Sequence, residues 1–286
     1  MHVVLGATGH VGAAVADALL ERGEAVTVVT RDKEKGESWR ARGAAVAVLD
    51  LHDTDALRAA FRRARRAFLL NPPAPPSSDT DTEEHRSAEA IVAALYGSGL
   101  ESVVAQSTYG AREGERIGDL SVLYDFETAL GSQPIPARIL RAAYYMSNWD
   151  MLLPQARDEG VLPTMLPADL RLPMVAPADI GYAAARLLCE PAGPRDVTYV
   201  EGPERYSPAD VARAFAKALG RTVKLDVIPR ERWVETYRAM GFSDEAADAY
   251  ARMTAVSVDS GFAVQAEPER GATTLEDHVA RLVAGN

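Results

Sequence analysis

The chain opens Met1-His2-Val3-Val4-Leu5-Gly6-Ala7-Thr8-Gly9-His10-Val11-Gly12, and the fold follows from how these twelve residues read. His2 to Leu5 is a short apolar, β-branched run, the pattern of a strand buried on both faces of a parallel sheet. Gly6, Gly9 and Gly12 follow at once, and the alanine-rich stretch from Ala13 to Arg22, with Val11 just before it, sets Val11, Val15, Ala18 and Leu19 at helical spacing before Gly23 stops it. Strand, glycine turn and helix together form a phosphate cradle. The turn lets backbone approach a pyrophosphate, and the helix start offers free N–H groups at the positive end of a dipole. The spacing is G-x-x-G-x-x-G, one residue looser at the front than the usual dinucleotide fingerprint. Its place between a strand and a capped helix is what gives it weight. Gly6, Thr8, Gly9, His10, Val11 and Gly12 are the expected cofactor contacts here.

Outward from the cradle, strands and helices alternate. Strands are expected at Ala25–Thr30, Ala44–Leu49, Ala67–Leu70 and Ser102–Gln106, with helices at Asp53–Phe61 and Thr82–Tyr96. That rhythm predicts an α/β fold, a doubly wound parallel Rossmann sheet. Thr30-Arg31-Asp32-Lys33 reads as a polar turn, and Asn71-Pro72-Pro73-Ala74-Pro75-Pro76 as a stiff surface loop after a strand end. Further on, a helix is expected at Leu120–Leu130 and a strand at Ala137–Arg141. Pro177–Leu188 reads as a helix opened by proline, Val197–Val200 as a strand, and Ser207-Pro208-Ala209-Asp210 as a capping box. A strand at Val223–Ile228 and helices near Arg230–Met240, Ser243–Met253 and Thr274–Ala284 complete the reading. The expected division is a cofactor domain over residues 1–150. A smaller mixed α/β substrate region follows over 151–286, with 177–200 packing back on the first.

Composition narrows the function class. The 286 residues are 47% hydrophobic and 25% charged, an ordinary globular mixture, and the formal charge of −10 disfavours nucleic acid and anionic membrane at long range. No apolar run is long enough to span a bilayer and no signal-peptide pattern precedes the first strand, so a cytoplasmic protein is expected, monomer or homodimer. Its one cysteine, Cys189, lies in a helical stretch and reads as a buried, inert thiol. His10 and His85 have no partner at metal-ligand spacing, so no metal is expected.

The positions that carry chemistry sit after the strand ends. An NAD-binding protein ends its second strand in an acid for the ribose 2′-hydroxyl; here Thr30 is followed by Arg31, whose guanidinium can pair with a 2′-phosphate. NADP(H) is therefore favoured over NAD(H), against the alternatives of a solvated arginine or of Asp32 serving as the acid. Asp50 and Leu51 fall where adenine would rest, though Asp50 reads equally as a turn aspartate. Asn71 and Pro72 fall near the nicotinamide ribose, and Ser107, Thr108 and Tyr109 where reacting groups stand.

These blocks, with Phe126-Glu127, Ile139-Leu140-Arg141, Met146, Asn148 and Asp179-Ile180-Gly181, resemble the NmrA-like family of atypical short-chain dehydrogenases/reductases across nearly the whole chain. The resemblance implies a Rossmann domain binding NADP(H), a smaller C-terminal substrate domain, and either reductase activity on quinones and related acceptors or a non-catalytic redox-sensor role. A reductase or isomerase of secondary metabolism is a further option. The Tyr-x-x-x-Lys dyad of ordinary short-chain dehydrogenases is absent: the four lysines are Lys33, Lys35, Lys217 and Lys224, Tyr109 is followed four residues on by Glu113, and Tyr124 by Thr128. Ser107, Tyr109 and Tyr124 are the candidate hydrogen-bond donors to an acceptor oxygen. Glu127 reads better as a capping or sheet-anchoring carboxylate than as a catalytic one. Tyr144, Tyr145, Met146, Asn148 and Trp149 read either as the wall of an apolar substrate pocket or as a core seam. The expected reaction is NADPH-dependent reduction of a small, apolar carbonyl, quinone or enone.

Overall fold

The structure, a computed structural model, describes residues 1–191, 196–262 and 267–285. The first half runs β1 (His2–Val4), α1 (His10–Glu21), β2 (Val26–Thr30), α2 (Lys33–Ala41), β3 (Ala45–Val48), α3 (Thr54–Phe61), β4 (Arg66–Leu69), α4 (Thr80–Leu95), β5 (Ser102–Thr108), α5 (Asp119–Gly131) and β6 (Ala137–Ala142). The second half runs β7 (Tyr144–Tyr145), a 3-10 turn (Met146–Leu152), α6 (Leu153–Asp158), β8 (Val161–Thr164), β9 (Leu172–Val175), α7 (Pro177–Cys189) and β10 (Val197–Glu201). It then continues through β11 (Arg205–Tyr206), α8 (Pro208–Leu219), β12 (Lys224–Val227), α9 (Trp233–Ala239), α10 (Asp244–Ser260), β13 (Glu269–Arg270) and α11 (Leu275–Ala284).

The main sheet has eight parallel strands in the order β13-β10-β6-β5-β4-β1-β2-β3. The chain leaves β1 toward β2 and β3, then returns to place β4 on the other side, so strand order reverses between β1 and β4. In open α/β sheets that switch point is where the loops diverge and a ligand fits. Both faces are covered. α1, α7 and Trp39 of α2 form one apolar layer, and α3, α4 and α5 the other. The sheet draws two of its strands, β10 and β13, from beyond residue 150. A third core lies between the 3-10 turn, β9, α8 and α11, where Met146, Leu172, Phe215 and Leu275 are fully buried.

Two short motifs explain how the halves are held. Asp179 in the first turn of α7 is buried, and it accepts hydrogen bonds from the Thr273 backbone N–H (3.0 Å) and hydroxyl (3.1 Å), tying the C-terminal tail to the helix. Two residues on, a Cβ at Gly181 would sit 2.6 Å from the backbone of Ala14, so glycine is what allows α7 to lie directly on α1.

Of the expected polar turn Thr30-Arg31-Asp32-Lys33, only Arg31 and Asp32 lie between β2 and the next helix. Asp32 caps a nine-residue helix, α2, by accepting the Glu34 and Lys35 N–H groups. That helix buries only Gly36 and Trp39, too thin an apolar stripe to announce itself in the sequence. The segment before α7 carries no clearer signal; β8 and β9 are four residues each and both contain proline.

Candidate active site

The cradle is built by packing and by one backbone angle. Gly6 has φ of +72°, a conformation side chains avoid, and its carbonyl accepts the Gly9 N–H at 2.9 Å. A Cβ on Gly12 would lie 2.3 Å from the Gly6 carbonyl, so only glycine lets α1 start against the turn. Gly9, by contrast, faces only its own turn, and Thr8, Gly9 and His10 are exposed. α1 has no side-chain cap and no acid in its first turn, which leaves its N–H groups and its positive dipole end open to an anion. Trp39 Nε1 donates to the Ala7 carbonyl at 3.1 Å and fixes the turn from the α2 side. Val11 departs from its expected role: its side chain is buried in the core layer, leaving only its backbone for a ligand.

Past the end of β2 Arg31 is exposed, and its guanidinium has no hydrogen bond or ion pair among the described residues. Asp32 is spent capping α2, which weakens its case as a ribose acid. Asp50 closes a turn by accepting the His52 N–H at 3.0 Å, and Leu51 is half-buried against the core.

Past β5 and β6 the polar groups form two closed networks. Ser107 is buried and donates its hydroxyl to Glu127 of α5. The same carboxylate receives Arg141 Nε at 2.9 Å and Nη2 at 2.7 Å, a bidentate pair linking α5 to β6, and Arg141 reaches the Tyr199 hydroxyl at 3.3 Å. Glu127 is thus a sheet anchor. Tyr109 is 3% exposed and donates to the fully buried Glu201 at 3.2 Å, whose carboxylate also holds Arg270 (3.0 Å) and Arg205 (3.3 Å). Burial and the facing carboxylate push the Tyr109 phenol far above its ordinary range. Neither Ser107 nor Tyr109 has a hydroxyl proton left for an acceptor. Tyr124, half-buried on α5, has a hydroxyl without a partner among the described residues.

The five residues after β6 divide. Met146 and Trp149 are buried in the third core, the core-seam alternative of the two readings, and so do not wall a pocket. Tyr144 and Tyr145 are half-buried, and the exposed Asn148 donates its amide to the Tyr144 hydroxyl. Burial raises the Tyr144 phenol to about 12.

Several residues of the cleft lie outside the expected set. Asn71 donates to the Glu84 carbonyl at 3.0 Å, and the Glu84 carboxylate accepts the Ala74 N–H at 3.0 Å, so one α4 residue pins the proline loop at its start and its middle. Glu84 is 3% exposed. Its carboxyl is raised to about 8, by burial first and then by the charge of Asp119 at the start of α5. Asp119 is raised as well, by burial. From the C-terminal side α10 brings Tyr250 into the electrostatic reach of both carboxyls. Tyr250, Phe242 and Tyr237 form a cluster with ring centroids 5.0–5.8 Å apart. The turn before α10 is fastened to the proline loop: Ser243 donates its N–H to Pro76 and its hydroxyl to Ser78, each at 2.9 Å. At the opposite end of the sheet His2, Glu24 and Cys189 bring potential ligand atoms within 4.8 Å of one another, but Arg65 and Arg66 line the same recess and oppose a cation.

A family model described as the NmrA-like family matches residues 2–278. The chain belongs to the NmrA-like family. It is 25% identical over 257 residues to an NAD(P)H azoreductase of Xenophilus azovorans, covering 90% of this chain and 87% of that protein. It is 27% identical over 282 residues to the nitrogen metabolite regulation-like protein bik4 of Gibberella fujikuroi, covering 87% and 83%. The NADPH complex of the quinone oxidoreductase QOR2 from Escherichia coli superposes with a TM-score of 0.81 at 22% identity over 99% of both chains. Among the described residues no helix is long and apolar enough to cross a membrane.

Proposed function

We propose that this NmrA-like chain is an NADPH-dependent reductase of flat, conjugated acceptors such as quinones or azo compounds. The observation that carries the reading is the crevice itself. An uncapped, acid-free helix start stands at one end with an unpaired Arg31 past β2, and the half-buried Tyr124, Tyr144 and Tyr145 lie on α5 and past the end of β6. The cradle residues Gly6, Thr8, Gly9, His10 and Gly12 would hold the pyrophosphate, Arg31 the 2′-phosphate, and Asn71 and Pro72 the nicotinamide ribose. Bound there, NADPH supplies a hydride. The protein's work is then positioning, which suffices for an acceptor that is already electrophilic.

Support also comes from the relatives, one named an azoreductase and another a quinone oxidoreductase solved with NADPH. A dinucleotide-binding regulator is the competing reading, favoured by the missing dyad and by the name of the fungal relative. The half-buried tyrosines and the raised carboxyls of the cleft favour catalysis, since groups displaced from their ordinary pKa gather at reacting sites. The test is NADPH oxidation, followed at 340 nm, with a panel of quinones and azo dyes, alongside direct titration of NADPH and NADP⁺. Turnover of at least one conjugated acceptor is expected. Tight dinucleotide binding with no turnover across the panel would refute the reductase and leave the regulator.

A further inference from the structure

The helix α10 lies across the segments that leave β4 and β5. At its end, Arg112 of the segment after β5 donates Nη1 to the Ser260 hydroxyl at 3.2 Å. Midway, Met253 lies against Gly118 at the start of α5, where an added Cβ would come within 2.9 Å of the Met253 sulfur. At its start, Ser243 donates its N–H to the Pro76 carbonyl and its hydroxyl to the Ser78 carbonyl, each at 2.9 Å, in the proline loop after β4. The helix has 17 residues, roughly 25 Å at 1.5 Å per residue, so it forms a strap laid from one loop to the other.

The strap is stiff and is held differently at its two ends. Arg230 pairs with Asp259 at 2.6 Å, the Tyr237 and Thr254 hydroxyls bond at 2.9 Å and Arg238 pairs with Asp244 at 2.7 Å, which makes α9 and α10 one body. Trp233 is buried and Val258 packs on the third core, so the base is seated. Among the described residues, the hydrogen bonds that fasten the tip to the rest of the protein are the two from Ser243. The receiving loop is stiff as well. Asn71 and Ala74 are both bonded to Glu84, and the Ser78 N–H (2.9 Å) and hydroxyl (2.7 Å) fold back on the Pro75 carbonyl. A ligand seated on Asn71 and Pro72 is therefore felt at the Pro76 and Ser78 carbonyls.

We propose that α10 gates exchange of the dinucleotide, with Ser243 as its latch. The inference rests on the proposed placement of the nicotinamide ribose at Asn71 and Pro72. While the latch is made, the proline loop cannot swing away from a bound cofactor, and the cofactor leaves only when Ser243 lets go of Pro76 and Ser78. Coupling between two such events is reciprocal, so bound cofactor in turn steadies the latch. Opening of this kind, rather than the chemical step, sets the turnover of many enzymes.

The test uses Ser243→Asp in the full chain. Its carboxylate still accepts the Ala246 N–H, so the cap of α10 survives, but it has no proton for the Ser78 carbonyl and repels it. Ser257→Ala, which loses only a bond to the Met253 carbonyl of the same helix, is the control. Stopped-flow displacement of NADPH by excess NADP⁺ reads release, and hydrogen exchange followed by NMR reads the amide at position 243, whose partner is the Pro76 carbonyl. One hydrogen bond is a factor of about two to ten. Ser243→Asp should speed both release and exchange of that amide by at least such a factor, with amides in the middle of α10 unchanged and the control like wild type. Saturating NADPH should slow the wild-type amide by a similar factor. Exchange at position 243 as slow in Ser243→Asp as in wild type overturns the latch. Faster exchange with unchanged NADPH release overturns the gate. If the wild type binds no NADPH, the dinucleotide reading and the gate fall together, while exchange in the free protein still decides whether Ser243 holds the tip.

Discussion

Gly181→Ala tests whether the cradle is held in place by α7. The new methyl would lie 2.6 Å from the Ala14 carbonyl group and 2.7 Å from its Cβ, where ordinary contact needs about 3.4 Å or more. The obstacle is mostly helix backbone, which has no rotamer to escape into, so α1 and α7 must part by roughly 0.8 Å. Overpacking of this kind costs about 3 kcal/mol at the upper end of its usual range. Replacing glycine by alanine inside a helix returns about 1 kcal/mol. The net loss is about 2 kcal/mol, a fall in Tm of about 4–8 °C. Because α1 carries the phosphate-binding N-terminus, NADPH affinity should weaken as well. Gly131→Ala, at the end of α5 with no atom near the added Cβ, is the matched control and should leave Tm unchanged or slightly raised. Differential scanning calorimetry and a fluorescence titration of NADPH read both effects. Equal melting temperatures for the two variants would refute the claim that the α1–α7 contact is backbone-limited.

Arg31→Ala should weaken NADPH at least tenfold while leaving NADH little changed; equal losses in parallel titrations would remove Arg31 from the 2′-phosphate. Glu127→Gln breaks a bidentate pair whose side chains are 11% and 16% exposed, and should cost about 2–3 kcal/mol in urea unfolding because Arg141 is left charged and half-satisfied. The same variant should also loosen Ser107. Tyr109→Phe removes one donor from Glu201, which retains Arg205 and Arg270, so a loss of about 2 kcal/mol is expected with kcat preserved; a collapse of kcat at unchanged stability would return Tyr109 to catalysis. Glu84 gives a pH signature in stability. Its folded-state pKa is raised, so the folded protein binds more protons than the unfolded chain between about 4.5 and about 8, and stability falls as pH rises through that window. Glu84→Gln should flatten Tm against pH over the same range.

The parallel sheet was legible because short apolar runs alternate with helices through the first half of the chain, and a doubly wound topology follows from that rhythm. Elements with little apolar surface were not: α2 buries two residues, and β13 is two residues long and pairs with a strand nearly seventy positions earlier. At the site, the glycine turn and helix start of residues 6–12 form one contiguous segment whose geometry the sequence predicts. The acceptor end proposed here draws on α5 and β7, far apart in sequence, and no local pattern announces that convergence. One signal was present. Glu84 lies in phase with Ala88, Ile91 and Leu95, which places a carboxylate on the buried stripe of α4 rather than on its solvated face. An acid on an apolar stripe needs a partner or a proton, and the helical spacing of the sequence alone makes that demand visible.

The two closed networks explain how a cofactor scaffold can stay constant while acceptor chemistry changes. Ser107, Glu127, Arg141 and Tyr199 lock β5, β6, β10 and α5 together, and Tyr109 with Glu201 and Arg270 joins β10 and β13 to the same end of the sheet. Polar groups at the strand ends, where catalytic side chains stand in other sheets of this kind, are here consumed in holding the strands in register. Chemistry that needs a proton must then draw on groups the scaffold does not use. Under the reductase reading proposed here, such groups would come from the loop after β6 and from α5. On that reading, substitution among Tyr124, Tyr144 and Tyr145 is expected to alter which acceptor fits without disturbing the cradle, whereas substitution in either network is felt first as lost stability.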